Sequence, residues 1–238
     1  MKIGGQKTKG GSMIANLLLS FLIGIGCARE KLPAEAVKPP PAEAVELPQP
    51  RYESEMSVEE ALKSRRSIRS PKDEPLTLTE LSQLLWAAQG VTVDWGGRTA
   101  PSAGATYPLE VYVVVGDVET LEDGLYHYNP ETHTITKKKQ GDLRNELANA
   151  ALGQDMLRKA PISFILTAIY ERTTGGYGER GIRYVHMEVG HVGQNIYLQA
   201  ESLGLGTVVV GAFHDDRVKD TFDIAEEPLY IIPIGKPR

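Results

Sequence analysis

The apolar positions of the chain recur with two different periods, and these separate strands from helices. Val111–Val115 and Ile162–Ile169 are unbroken apolar runs rich in β-branched residues, read as strands buried on both faces. Thr207–Val210 reads as a third buried strand, and Pro228–Ile234 as a last one whose Pro233 predicts an edge position or a strand end. Leu78, Leu81, Leu84, Leu85 and Ala88 instead recur at helical spacing, behind a Thr77–Glu80 capping box and ahead of Gly90 as C-cap. A second capping box, Ser57–Glu60, opens a short helix through Lys63. Further helices are expected over Asp142–Leu152, Met156–Lys159, Gly181–Leu203 and from a capping Asp215 through Phe222. Gly124–Tyr128 and His133–Lys137 flank Asn129-Pro130 as a β-hairpin, with His127 and His133 as exposed strand residues. Val91–Gly104 and Glu171–Arg180 read as loops. The mixture is α+β.

The first fifty residues follow other rules. Lys2, Lys7 and Lys9 precede an apolar stretch of thirteen residues, Met13–Ile25, too short to span a bilayer but the right size for a signal-peptide core. Gly26-Cys27 then resembles the end of a bacterial lipobox, although Gly24 stands where a leucine is usual. The expectation is a signal peptide over residues 1–27 and an extracytoplasmic lipoprotein anchored to a membrane at Cys27. The alternatives are an ordinary signal peptide, or a cytoplasmic protein with an uncleaved anchor. Residues 28–51 follow as a proline-rich linker that favours extended polyproline II, and residues 52–238 as the folded domain.

Composition removes several classes of function. The net charge of −5 gives no reason to expect nucleic acid as a partner. A single cysteine rules out an internal disulfide framework and a cysteine-based metal site. His186 and His191 are five residues apart, whereas a helical zinc pair needs four, so no metal is expected. Gly204 and Gly206 precede a strand, which is the wrong order for a dinucleotide fingerprint. Gly190 and Gly193 inside the long helix weaken it by roughly 1 kcal/mol each relative to alanine, which suggests another backbone close by.

What remains is a basic run, Ser64–Ser70, with three arginines and three serines in seven residues. Guanidinium forks match phosphate oxygens and serine hydroxyls add neutral donors. In an extended run Arg65, Ser67 and Arg69 share one face. Pro101-Ser102-Ala103-Gly104 offers backbone N–H groups with little obstruction, suited to a flat or anionic ligand. With no triad, phosphate-binding P-loop or metal cluster, chemistry would have to come from a cofactor.

These stretches, taken in order with Glu188–Asn195, Leu203–Gly206 and Val210–Phe213, resemble the FMN-dependent nitroreductase superfamily, and more closely its SagB-type dehydrogenase branch, over Met56–Arg238. The resemblance implies a mainly antiparallel sheet flanked by helices, in an intertwined homodimer with FMN at the interface. It implies that Arg65, Arg66, Ser67 and Arg69 hold the FMN phosphate and ribityl chain, with Lys236 and Arg238 closing that site. Pro101, Ser102 and Ala103 would line the flavin from the partner subunit, Gln154 would reach its edge, and the Val210-Gly211 backbone would face N5. The implied activity is hydride transfer through N5 to or from a small organic substrate such as a nitroaromatic or quinone, with NAD(P)H as a candidate donor. Azoline-oxidising members carry a Lys-Tyr pair where this chain has Gly176-Tyr177. Tyr177 is thus a weak catalytic candidate, since an unaided tyrosine has a pKa of about 10. The alternatives are a flavin store or sensor with little turnover, or a SagB-type dehydrogenase acting on a peptide-derived heterocycle.

Overall fold

A computed structural model describes residues 44–238; the expected signal segment 1–27 and linker residues 28–43 lie outside the described residues. The strands are β1 (Ala44–Glu46), β2 (Leu109–Val115), β3 (Gly124–Asn129), β4 (Thr134–Gln140), β5 (Ile162–Ala168), β6 (Gly206–Thr207) and β7 (Glu227–Gly235). They form one antiparallel sheet in the order β1-β4-β3-β2-β5-β7-β6. The helices are α1 (Val58–Ser64), α2 (Leu78–Gln89), α3 (Arg144–Ala150), α4 (Asp155–Lys159), α5 (Glu171–Tyr177), α6 (Arg180–Ser202) and α7 (Asp215–Phe222).

The unbroken apolar strands are explained by a helical layer on each face. Val111, Val113 and Val115 of β2 join Leu81, Leu84 and Leu85 of α2 and Val185, Val192 and Ile196 of α6 in one core. Tyr112 and Val114 point the other way, to Leu147 of α3 and Val218 and Phe222 of α7. Alternation along the strand therefore sends successive residues into two separate cores. Each fully buried valine or leucine contributes about 1.5–3 kcal/mol relative to exposure. Both capping boxes form as expected, with Ser57 and Thr77 accepting from the N–H groups of Glu60 and Glu80.

Several expectations are corrected. The ordered domain begins before Arg51: β1 pairs with β4, and Leu47 is buried in the core. The third buried strand shrinks to Gly206–Thr207, because Val209 N–H turns to the Tyr197 hydroxyl and only Val210 returns to the sheet, opposite Ile231. Pro233 is not at an edge, since β7 lies between β5 and β6. Its carbonyl accepts from the Thr207 hydroxyl at 2.8 Å, so its missing N–H faces the side where the β6 ladder has ended. Glu171–Tyr177 is helical rather than a loop: Thr173 is buried against Thr106, and Gly178, at φ 58°, ends the helix. His214, not Asp215, is the N-cap of α7. Gly90 is a C-cap, but not a left-handed one; a Cβ there would lie 2.1 Å from the Trp86 ring. Among the described residues, Gly190 faces open space and Gly193 lies nearest the side chains of Val209 and Tyr230.

The hairpin histidines are not simply exposed. His127 lies 2.7 Å from Glu110, which also meets Arg172 at 2.6 Å. Burial raises the Glu110 carboxyl, but these two partners outweigh it and hold it below the usual range. His133 ties the β1 segment to α2. Tyr128 O–H donates to Nδ1 at 2.9 Å, and Nε2–H lies 2.8 Å from Ser82 Oγ and 3.0 Å from the Pro48 carbonyl. Ser82 O–H donates to that same carbonyl. This is the arrangement of the neutral ring with its proton on Nε2, and burial lowers the His133 pKa from 6.5 against the opposing Pro48 bond.

His133→Ala leaves the Tyr128 hydroxyl without its partner and removes the ring that joins it to Ser82 and Pro48, and should lower unfolding stability by about 1–3 kcal/mol in urea titration above pH 7. Because the folded-state pKa is depressed, the unfolded chain takes up the proton first. The parent's advantage should therefore be complete above pH 6.5 and shrink as pH falls below it. Equal stability of the two proteins would show that this histidine does not hold the strap.

Candidate cofactor site

The basic run begins where α1 stops. Arg65 is the C-cap of α1, and the next residues are extended, with Ser67 bridging Thr207 in parallel and Ile68 N–H donating to the Thr207 carbonyl at 2.9 Å. The run thus lies along the outer side of β6. The close fit requires Gly206, because a Cβ there would come within 2.8 Å of Ile68. Farther on, Lys72 N–H donates to the Lys236 carbonyl at 2.8 Å, and Pro71 bridges Pro237.

Arg65 and Ser67 do share a face, and Tyr197 of α6 defines it. The Arg65 guanidinium stands 4.9 Å over the Tyr197 ring, and Ser67 Oγ lies 3.0 Å from the Tyr197 hydroxyl. Arg66 points the other way: its Nη1 donates to the carbonyls of Lys63, Ser64 and Arg65, closing the C-terminus of α1. Arg69 and Arg238 are exposed and make no side-chain hydrogen bond among the described residues. Lys236 Nζ lies 3.5 Å from Glu74.

Tyr197 also connects the run to the next segment, because its hydroxyl accepts from Val209 N–H at 3.0 Å. Val210 spends both backbone groups on Ile231, at 2.8 and 3.0 Å. Gly211 is exposed, and its N–H, like those of Ala212 and Phe213, makes no hydrogen bond to another described residue. Gln154 is held beside it, its amide donating to the Ala151 and Ala212 carbonyls at 2.9 Å each.

The Pro101–Ala103 loop lies elsewhere. Asn195 of α6 donates to the Thr99 carbonyl at 3.2 Å, and a Cβ on Gly104 would lie 2.8 Å from the Tyr177 hydroxyl. Tyr177 packs edge-on against Tyr184, with ring centroids 5.1 Å apart. The loop therefore follows α6 from Asn195 towards its N-terminal half. At about 100° per residue, the side of α6 that carries Asn195 and Glu188 is about half a turn from the side that carries Tyr197. One chain thus carries the two candidate stretches on opposite flanks of one helix. Between them runs an exposed stripe of Arg183, Met187, Gly190 and Gln194.

The family model described as the nitroreductase family matches residues 62–236. The chain belongs to the nitroreductase family. It is 54% identical over 182 residues to a protein of Methanocaldococcus jannaschii named as a nitroreductase, covering 76% of this chain and 92% of the relative. A crystal structure of a Ralstonia eutropha protein so named superposes with a TM-score of 0.72 at 31% identity, covering 86% of this chain and 96% of the other. A chain of the Escherichia coli microcin synthetase complex, solved with truncated pro-microcin B17 bound, superposes with a TM-score of 0.62 at 26% identity, covering 80% and 77%.

For a nitroreductase-family chain, the run and the Val210-Gly211 turn were legible as sequence. Tyr197 was not, because a tyrosine in a helix is ordinarily core. Its only signal was a polar tip on a helix that also carries Glu188, Gln194 and Asn195.

Tyr197→Phe removes the acceptor for Val209 N–H and the partner of Ser67. Chemical denaturation should show a loss of about 1–2 kcal/mol. Unchanged stability would mean that Val209 N–H finds another acceptor.

Proposed function

We propose that the protein is an FMN-dependent oxidoreductase acting on a small organic electrophile such as a nitroaromatic or quinone, with NAD(P)H as the donor. The observation that carries this reading is the gathering of Arg65 and Ser67 onto Tyr197, whose hydroxyl in turn holds the turn leading to the free Gly211 N–H. The residues fit the group: a phosphate needs charged forks and hydroxyls, and a flavin ring needs an unobstructed backbone donor. Arg65, Ser67, Arg69, Lys236 and Arg238 would hold the phosphate end, Gln154 the ring edge, and Gly211 N–H the N5 side. When bound, FMN supplies a carrier that accepts a hydride from one partner and delivers it to another. The chain's own contribution is to bind, to orient and to offer a fixed dipole, which needs no ionisable catalytic residue.

The reading includes a homodimer. The half-sites on opposite flanks of α6 meet only if a second copy packs on the stripe of Arg183, Met187, Gly190 and Gln194, which brings Pro101, Ser102 and Ala103 of one chain to the phosphate half of the other. The open space beside Gly190 suits such an approach. Export and a lipid anchor at Cys27 also belong to the reading, carried by the Met13–Cys27 pattern. The microcin-complex likeness favours a second reading, oxidation of a peptide-derived heterocycle, but Gly176 beside Tyr177 offers no lysine for it.

Protein purified with FMN should show a flavin absorbance band that survives gel filtration, and a colourless protein that binds no added FMN would end the reading. Arg65→Ala should weaken FMN binding about 10- to 100-fold, the value of one charge-assisted bond to phosphate, while Arg66→Ala should change it less than about 3-fold. Equal losses would return Arg66 to the phosphate. Gly190→Leu should convert a dimer to a monomer in sedimentation and abolish FMN binding with it. A monomeric parent that binds FMN would remove the second copy from the site.

A further inference from the structure

The loop from Pro101 to Tyr107 is strained. Gly104, Ala105 and Tyr107 are all left-handed, at φ 62°, 52° and 43°, and two of the three are not glycine. Such a conformation persists only where neighbours impose it. From α5, Thr173 meets the Thr106 hydroxyl at 2.8 Å, and Arg172 donates to the Tyr107 carbonyl at 3.0 Å. Within the loop, Tyr107 N–H donates to Ser102 Oγ at 3.0 Å. Ser102 therefore accepts from the strained turn and keeps its own proton for another partner.

The neighbour on α6 available to it is Glu188. This glutamate sits on the side of α6 turned to the loop and is only 2% exposed, yet it has no salt-bridge partner among the described residues. The Ser102 hydroxyl and the amide of Gln89, itself 1% exposed, face its carboxyl without closing well-formed hydrogen bonds. Gln89 is tied in turn to Arg98, whose Nη1 donates to its Oε1 at 3.0 Å. Glu188 Oε1, Gln89 Nε2 and Arg98 Nε are all buried and have no partner. A buried, incompletely satisfied carboxyl is unfavourable for stability, and its neighbours Val189 and Val192 are apolar, so the core alone does not call for an acid here.

We propose that Glu188 is the positioning residue of this loop: through Ser102 it sets the left-handed turn that presents Pro101–Ala103 to the cofactor. The assignment rests on the reading of the loop as a wall of the flavin site. Burial pushes the Glu188 carboxyl up to about 7, against the opposing pull of Ser102, Arg98 and Gln89. Arg98 is the charge that acts on it; α2 contributes only the neutral Gln89. The groups that face it are all donors, so the ionised carboxylate, an acceptor alone, grips the loop more firmly than the neutral acid. Loop order should therefore rise with pH through about 7. Stability runs the other way. The folded pKa is raised, so the stabilisation linked to this proton is complete below the unfolded value of 4.5 and lost as pH rises through about 7.

The test uses the full chain and two readouts. In the absence of FMN, amide hydrogen exchange at Tyr107 should be about 10-fold faster in Glu188→Leu than in the parent, and about 3-fold faster in Glu188→Gln, corresponding to a lost or weakened hydrogen bond. With FMN added, Glu188→Leu should bind about 10-fold more weakly. The parent's tightening between pH 6 and 8 should exceed that of Glu188→Gln, in which only the titration of the ligand phosphate is left. Unchanged Tyr107 exchange in Glu188→Leu would overturn the assignment, as would identical pH profiles of FMN binding in the parent and Glu188→Gln. If Glu188→Leu fails to fold, as judged by circular dichroism, the Glu188→Gln comparison decides alone. A parent that binds no FMN ends the flavin reading while leaving the exchange measurement to judge the loop.

Discussion

The angular period of α6 is the constraint on which the rest of the structure depends. One stripe, Val185, Val189, Val192, Ile196 and Ala200, must face the sheet to close the larger core. Once that stripe is set, a helix with about 100° between residues has no freedom left. Glu188 and Asn195 fall on the flank beside the strained loop, Tyr197 on the flank beside the basic run, and Gly190 between them. The separation of the basic run from the Pro101–Ala103 loop is thus a consequence of burying five apolar side chains, and the proposal of a second copy starts from it.

The site's polar chemistry is mostly backbone chemistry. Val209 and Val210 N–H are consumed by Tyr197 and Ile231, so the first N–H at the turn without an acceptor among the described residues is that of Gly211. Arg66 is likewise consumed by the carbonyls at the end of α1, a use that any arginine one residue past a helix can make. Neighbours in a single basic run therefore divide between holding the fold and facing outward. Extended geometry decides which: alternate residues point to opposite sides, and Tyr197 marks the outward one.

The sequence carried the elements that local rules govern. The capping boxes at Ser57 and Thr77, the doubly buried strands β2 and β5, the hairpin about Asn129-Pro130 and the extent of α6 all formed where periodicity and capping chemistry put them. The failures share one cause, a partner distant in the chain. Ala44–Glu46 reads as linker by composition and becomes a strand only because β4 offers an open edge. Thr207–Val210 reads as strand by composition and leaves the sheet because the Tyr197 hydroxyl, twelve residues upstream on α6, claims Val209 N–H. Glu171–Tyr177 contains two glycines and is helical because Thr173 is buried against Thr106.

For this protein the sequence by itself determined the α+β class and the family, because those properties lie in periods and runs only a few residues long. Only the tertiary structure decided that Tyr197 joins the basic run to the Gly211 turn, that Arg66 turns away, and that Glu188 is buried beneath a left-handed loop. Each of those depends on which face of α6 meets which neighbour, and that is settled by packing the whole sheet rather than by any local pattern.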